Sequence, residues 1–402
     1  MEESVWSMWN KNSIFLICIA AMVNTSVLKA DATKESSAFV LRSITTENGS
    51  SDKNLSRSSW TWVDNCHVLK PHDLTDFGTH YSLFTAYQQQ TILNNEKTKG
   101  KTCADFSYIG TIEQDLWSGG SLIIYGEGGK GRGIDPLLNS FLSTNAAIEE
   151  ADIYLSRLFF LNDFSNGRLQ TVAGKIELSD FFDTSAVANC ETREFLASPL
   201  VNNPTIPFPD DGLGAAFKLN TERFYFQAGF ADARAKGTTT GIHSAFCEDF
   251  KLFQILELGL LQDLNNREGT YRFVYWHDSV SENNDGLGLS FDQQINNKFT
   301  VFTRYGYAKH PVSDMKHFWS AGGRVNGLWS KTKKDFLEIA VARGINSRRS
   351  NRRSESFVEM NYSAQINKSL TITPIIQFIA GLPGNEGADN AVIAGLRLVW
   401  AF

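Results

Sequence analysis

Gly126-Glu-Gly-Gly-Lys-Gly131 has the glycine spacing that lets a backbone approach a pyrophosphate. It follows a strand-like Leu122-Ile-Ile-Tyr125 and precedes an acid, Glu149, by about 20 residues. Dinucleotide binding also requires a helix opening at the glycines within a strand-helix-strand unit. Gly133 and Pro136 stand where that helix should run, and no such rhythm surrounds them. Arg132 occupies the place where a phosphate-cradling loop requires lysine. Asn283-Asn-Asp285-Gly286 could offer oxygen ligands to calcium but reads more simply as a turn between strands. No two cysteines lie at metal-ligand spacing, no histidine pair has the His-Glu-x-x-His arrangement, and no Gly-x-Ser-x-Gly elbow presents a nucleophile. The sequence points to no metal, no cofactor and no nucleic-acid partner.

The elements that carry the polar residues follow a different logic. Lys and Arg number 38 against 44 Asp and Glu, a net charge of −6, and the mean hydropathy is −0.23. A helical span needs roughly 20 nearly continuous apolar residues. The best run, Ile14–Val23, is too short, so a polytopic helical membrane protein is excluded. The chain carries 29 Phe, 9 Trp and 11 Tyr but only 9 Pro, a balance that suits long strands. Leu370, Ile372, Pro374, Ile376 and Phe378 alternate with Thr371, Thr373 and Gln377. Val358, Met360, Tyr362, Ala364 and Ile366 alternate with Glu359, Asn361, Ser363 and Gln365. Ala394, Leu396, Leu398, Trp400 and Phe402 flank Gly395 and Arg397. Period 2 means strands with one oily and one wet face.

The same pattern predicts strands over 335–344, 319–328, 299–308, 286–295, 270–278, 252–262, 222–230 and 213–219. Weaker ones follow at 168–176, 153–160, 120–127, 106–115 and 79–87, giving sixteen in all. Short connections such as Asn220-Thr-Glu222, Asn296-Asn-Lys298 and Asn367-Lys-Ser369 alternate with longer ones at 231–251, 279–285, 309–318, 345–354 and 380–389. An even strand count with short turns on one side and long loops on the other is the outer-membrane arrangement. The fold class expected is all-β: a 16-stranded antiparallel transmembrane β-barrel with short periplasmic turns and long extracellular loops. A barrel of this width cannot be filled by its own side chains, so its wet face looks inward and its oily face meets lipid. Phe299, Tyr305 and Tyr307 on one strand, and Phe224, Phe226 and Phe230 on another, then lie outside. Parity turns Glu257, Arg304, Glu359 and Arg397 toward the lumen.

At the N-terminus, Lys11 precedes the apolar run, and Val27-Leu-Lys-Ala30 offers a small residue before Asp31. Residues 1–30 read as a secretory signal peptide, 31–75 as a polar periplasmic segment rich in Ser, Thr, Asn and Lys, and 76–402 as the barrel. Export leaves Cys66, Cys103, Cys190 and Cys247 for an oxidising space. Cys103, Cys190 and Cys247 fall in expected extracellular loops and Cys66 on the opposite side, so Cys190 and Cys247 are the disulfide candidate. Arg348, Arg349, Arg352 and Arg353 fall in another extracellular loop, where a solvated surface is the simpler reading.

Three segments carry a family resemblance. One is Ala173-Gly-Lys-Ile-Glu-Leu-Ser-Asp-Phe-Phe-Asp183, continuing through Ala188-Asn-Cys-Glu-Thr-Arg-Glu-Phe195 and Asn202-Asn-Pro204. The second is Leu256-Glu-Leu-Gly259. The third runs from Leu370-Thr-Ile-Thr-Pro-Ile-Ile-Gln-Phe378 through Asp389-Asn-Ala391 and Gly395-Leu-Arg397 to Phe402. Together they resemble the carbohydrate-selective porins of bacterial outer membranes over roughly residues 76–402. The resemblance implies a passive path for small sugars into the periplasm, and it implies no enzyme. Its implied partners are permeating sugars, outer-membrane lipid and lipopolysaccharide, and the barrel-assembly machinery reading the strand that ends at Phe402. Sugars are neutral and hydroxyl-rich with weakly apolar faces, so a constriction for them needs hydrogen-bonding groups of both charges beside aromatic surfaces. The longest connection, about 177–212, supplies Glu177, Asp180, Asp183, Glu191, Arg193 and Glu194 with Phe181, Phe182 and Phe195, and is the expected loop in the bore. Glu257, Arg304, Glu359 and Arg397 complete the expected path. The competing readings are an outer-membrane barrel enzyme, which needs a Ser and a His together at one rim, and a secreted carbohydrate-binding β-sandwich.

Overall fold

The computed structural model describes residues 72–74, 78–147, 151–165, 167–246, 251–280, 284–312, 315–329, 334–346, 354–382 and 390–402. The expected leader, nearly all of the polar lead-in and the arginines at 348, 349, 352 and 353 lie outside the described residues. A short strand β1 (His72–Leu74) precedes β2 (Thr79–Asn94), β3 (Thr102–Trp117), β4 (Gly120–Gly131), β5 (Ala151–Phe164), β6 (Leu169–Ile176), β7 (Gly212–Asn220), β8 (Phe224–Asp232) and β9 (Leu252–Asp263). The second half comprises β10 (Glu268–Asp278), β11 (Asn284–Gln294), β12 (Phe299–Val312), β13 (Met315–Asn326), β14 (Phe336–Asn346), β15 (Glu355–Gln365), β16 (Leu370–Ala380) and β17 (Asn390–Ala401).

From β2 onward each strand pairs antiparallel with the next. β17 returns to β2 with Arg397 opposite Gln88 and Trp400 opposite Thr85, so sixteen strands close a barrel. Closure leaves no barrel edge, because each strand from β2 to β17 pairs with a neighbour on both sides. The seam is finished by the last residue: Phe402 N–H donates to Leu83 O (2.9 Å) and Leu83 N–H to Phe402 O (3.1 Å). All sixteen expected strands are present, and β8, β9, β12, β15, β16 and β17 keep the expected phase. β1 pairs with the start of β2, His72 opposite Tyr81, so regular structure begins within the stretch the sequence assigned to the polar lead-in.

The short-turn end owes its sharpness to asparagine. Asn296 Oδ1 accepts from the N–H groups of Lys298 and Phe299 (2.9 Å each), and Asn367 Oδ1 from those of Ser369 and Leu370 (2.8 and 2.9 Å). A side chain that copies a backbone turn reverses the chain within a few residues. The alternation of short and long connections has two exceptions. β12 ends at Val312 and β13 begins at Met315, because both strands run on through the expected loop at 309–318; at the other end, 327–335 is longer than its neighbours. The same lengthening carries Cys103 into β3 and the Asn284–Gly286 stretch into β11, where a turn was expected. Asn284 there exchanges two hydrogen bonds with the backbone of His310 (2.9 and 2.8 Å).

The two faces of the wall are inverted relative to a soluble protein. On β9 the outward Leu256, Leu258 and Leu260 are exposed, whereas Glu257 between them is fully buried. On β16 Ile376 and Phe378 are exposed outside while Thr373 and Gln377 are buried inside. Apolar exposure repeated around a closed sheet far exceeds the patches a soluble monomer carries and fits a lipid-facing belt.

Candidate functional site

The connection 177–211 between β6 and β7 turns into the barrel and packs along its inner wall. Ordering so long a segment costs roughly 1–2 kcal/mol of backbone entropy per residue, and two kinds of contact offset that cost. One is apolar: Phe195, Leu200 and Val201 pack with Phe302, Phe318 and Phe357 of the wall, Phe195 and Phe302 having centroids 5.7 Å apart. The other is a set of buried charges on the strands that grip the segment by its main chain. Arg304 on β12 donates to Leu200 O (3.0 Å), Asp183 O (2.9 Å) and Ala188 O (2.6 Å), and pairs with the Asp183 carboxylate (3.4 Å). Arg397 on β17 donates to Glu191 O (2.6 Å) and Glu194 O (2.8 Å). Glu257 on β9 accepts from Asp183 N–H (2.8 Å), and Glu359 on β15 from Leu196 N–H (2.7 Å) and Ala197 N–H (3.0 Å). Charges taken from water need such partners to be tolerated.

Asp183 is the pivot of this docking. Its φ of 57° lies in the left-handed region that few non-glycine residues occupy. Its carboxylate accepts from Asn203 N–H (2.8 Å), and burial pushes its pKa above the usual carboxylate range against the pull of Arg304. Asn203 in turn donates to Tyr305 O (3.1 Å) and sits directly on Gly306, where any Cβ would overlap Thr205 Oγ1 and Asn203 Oδ1. Gly306→Leu should therefore lift Asn203–Thr205 off the wall. The expected result is protease cleavage in the 177–211 connection of a barrel whose gel mobility is still heat-modifiable.

A second segment, 132–147 between β4 and β5, also folds inward. Asp135 opens the short helix Asp135–Leu138 and ties it to Thr144, whose N–H and Oγ1 it accepts at 2.9 and 2.6 Å. Glu355 on β15 accepts from Ser140 Oγ (2.7 Å) and from the N–H groups of Phe141 (3.2 Å) and Leu142 (3.1 Å). Asn145 donates to Asp105 on β3 (2.9 Å). The two segments also bond to each other, through Ala146 N–H to Leu196 O (2.8 Å) and Ser198 N–H to Ser143 O (3.2 Å).

The roots of the 177–211 connection meet at one guanidinium. Arg157 on β5 pairs with Glu177, with Asp180 (2.9 Å), with Asp211 (3.2 Å) and with Glu127 on β4 (3.6 Å), and its guanidinium lies 5.0 Å from the centroid of the Tyr125 ring. The chain leaves the wall at Glu177 and returns at Asp211, so one side chain clamps departure and return. Burial first, and then the neighbouring Glu177 and Glu127, push Asp211 up to about 7 against the pull of Arg157.

Comparison with known proteins bears on what such a barrel is. The model of the carbohydrate-selective porin, OprB family, matches residues 114–402. The chain belongs to the carbohydrate-selective porin family. A structure of Pseudomonas putida OprB at high pH is 16% identical over 81% of this chain and 94% of its own, with a TM-score of 0.69. A variant of Rh. blastica porin is 10% identical over 81% of this chain and all of its own, with a TM-score of 0.50. At these identities the likeness is one of fold. An uncharacterized protein of Aquifex aeolicus (strain VF5) is 29% identical over 160 residues, which are 40% of this chain and 45% of that protein.

Within this porin the residues expected along the path fall into two groups. Glu177, Asp180, Glu191, Arg193 and Glu194 are part-exposed on the inward segment. Asp183, Glu257, Arg304, Glu359 and Arg397 are at most 1% exposed: the four wall residues lie on the inner side, and the segment that includes Asp183 covers them. Phe181, Phe182 and Phe195, expected as surfaces for a sugar to slide on, are also buried and belong to the packing between segment and wall. The sequence reading missed Arg157, Glu355, Asp105 and the Arg324–Glu338 pair, in which Arg324 also reaches Glu194 (2.6 Å). Asp105, Glu355, Arg324 and Glu338 share the inward parity of their strands and Arg157 turns inward at a register shift in β5, but nothing local marks which part of a distant connection each one meets. The glycine-rich run at 126–131 is the end of β4, as its failure to open a helix implied.

Proposed function

We propose that this porin is a passive channel of the bacterial outer membrane for small sugars, entering toward the periplasm past a constriction formed by the two inward segments. The observation that carries the reading is the docking itself: two connections are held inside a barrel too wide to be closed by its own side chains. The groups they leave part-exposed, Glu177, Asp180, Glu191, Arg193 and Glu194, offer donors and acceptors of both signs to a neutral polyol. In this reading the short turns face the periplasm, outer-membrane lipid and lipopolysaccharide cover the apolar belt, and the assembly machinery reads the final strand ending at Phe402. Swelling of proteoliposomes tests it: glucose should enter faster than a disaccharide, and sugar entry no faster than in protein-free vesicles would reject it.

The pairing of Cys190 with Cys247 is part of the same proposal, because it would tie the tip of the inward segment to an extracellular loop. Cys190 is disulfide-bonded, its partner lies outside the described residues, as Cys247 does, and Cys103 is free. Alkylation followed by peptide mapping should modify Cys103 without reductant and Cys190 only after reduction, with Cys190 linked to Cys247.

A further inference from the structure

The two inward segments rest on one continuous row of wall side chains. Gln377 on β16 donates to Glu359 Oε2 (3.0 Å) and to Thr144 O (2.8 Å). Gln90 on β2 donates to Gln377 Oε1 (2.9 Å) and to Thr144 O (3.2 Å). β17 runs between β16 and β2, and Gly395 is its residue opposite Gln90. Glu359 closes the row by accepting the Leu196 and Ala197 N–H groups of the other segment. Directly above the row the segments bond to each other at Ala146–Leu196 and Ser198–Ser143. All three wall residues are at most 2% exposed, so no water stands ready to replace a bond that is lost.

We infer that Glu359 is a positioning residue that fixes the two segments against each other through Gln377, making them one body whose placement sets the bore. The inference rests on the segments being the constriction proposed above. Three elements, the 196–197 backbone, Thr144 and the barrel seam, converge on this one carboxylate and its amide neighbour. A carboxylate with both oxygens accepting can hold two adjacent N–H groups and an amide donor at once. A carboxamide in its place turns an N–H₂ donor toward one of those donors.

The test is a double-mutant cycle on single-channel conductance, using the full chain in planar bilayers with Glu359→Gln, Gln377→Leu and the double variant. Only barrels with heat-modifiable mobility are recorded. Each single variant should raise conductance several-fold, and the double variant should equal the larger single, because both remove the same joint. A purely structural role would change yield or melting and leave the conductance of folded channels alone. Effects that multiply independently would overturn the inference, as would a folded Glu359→Gln channel of unchanged conductance. Should Glu359→Gln fail to fold, a folded Gln377→Leu channel of raised conductance supports the inference and one of unchanged conductance overturns it. Wild-type channels whose current ignores glucose would sink the sugar reading, and the conductance cycle would still decide the inference.

Discussion

Arg304→Met should yield a folded barrel with several-fold higher conductance and little discrimination between sugars. Methionine keeps the contacts of arginine's apolar stem but none of its donors. The substitution strands the carbonyls of Asp183, Ala188 and Leu200 and leaves the buried Asp183 carboxylate without its counter-charge. Breaking a buried pair costs about 3–5 kcal/mol, so docking of the 177–211 connection should weaken by roughly 100-fold or more. The barrel ladder is untouched, which separates loss of docking from loss of fold. Arg304→Lys should be milder, since an ammonium keeps the charge but cannot span acceptors set around a planar fork. Single-channel recording and limited proteolysis report the two consequences, a wider bore and an accessible connection.

Arg157→Met should make conductance strongly dependent on pH. Without the guanidinium, Glu127, Glu177, Asp180 and Asp211 face one another across the roots of the connection. Asp211 sets the sign: its pKa is raised from 3.8 to about 7 in the folded chain. Its contribution to docking is fully present below 3.8 and is lost as pH rises through about 7. The wild-type channel should therefore loosen slightly between pH 5 and pH 8, with Arg157 holding the remaining carboxylates. In the variant the guanidinium no longer opposes their mutual repulsion and only Lys175, among the described residues, is left beside Asp211 and Glu127, so conductance should climb several-fold over the same interval. Flat conductance in the variant would mean that the roots are held by packing alone.

How far the sequence could be read follows from the range of each interaction. Strand phase is local: alternation at Leu370–Phe378 or around Glu257 records which face meets oil, and it carried the barrel, its closure and the inward parity of Glu257, Arg304, Glu359 and Arg397. What covers an inward residue is not local. Glu359 looks the same in sequence whether it meets water or the backbone of residues 196–197, which lie more than a hundred positions away. The aromatic residues Phe181, Phe182 and Phe195 were ambiguous for the same reason, since a ring that serves a sugar and a ring that docks a loop share one composition. The segment 132–147 stayed hidden because its signals, Asp135-Pro136 and the polar residues Asn139-Ser140 and Ser143-Thr-Asn145, describe turns and carry no mark of its place in the bore.

Planar-bilayer recording of the wild-type chain with glucose added stepwise tests the proposed channel most directly. Discrete conducting steps should appear, and their current should fall and saturate as glucose occupies the constriction. A bilayer without channels, or channels whose current stays constant at every glucose concentration, would contradict a sugar path bounded by the two docked segments.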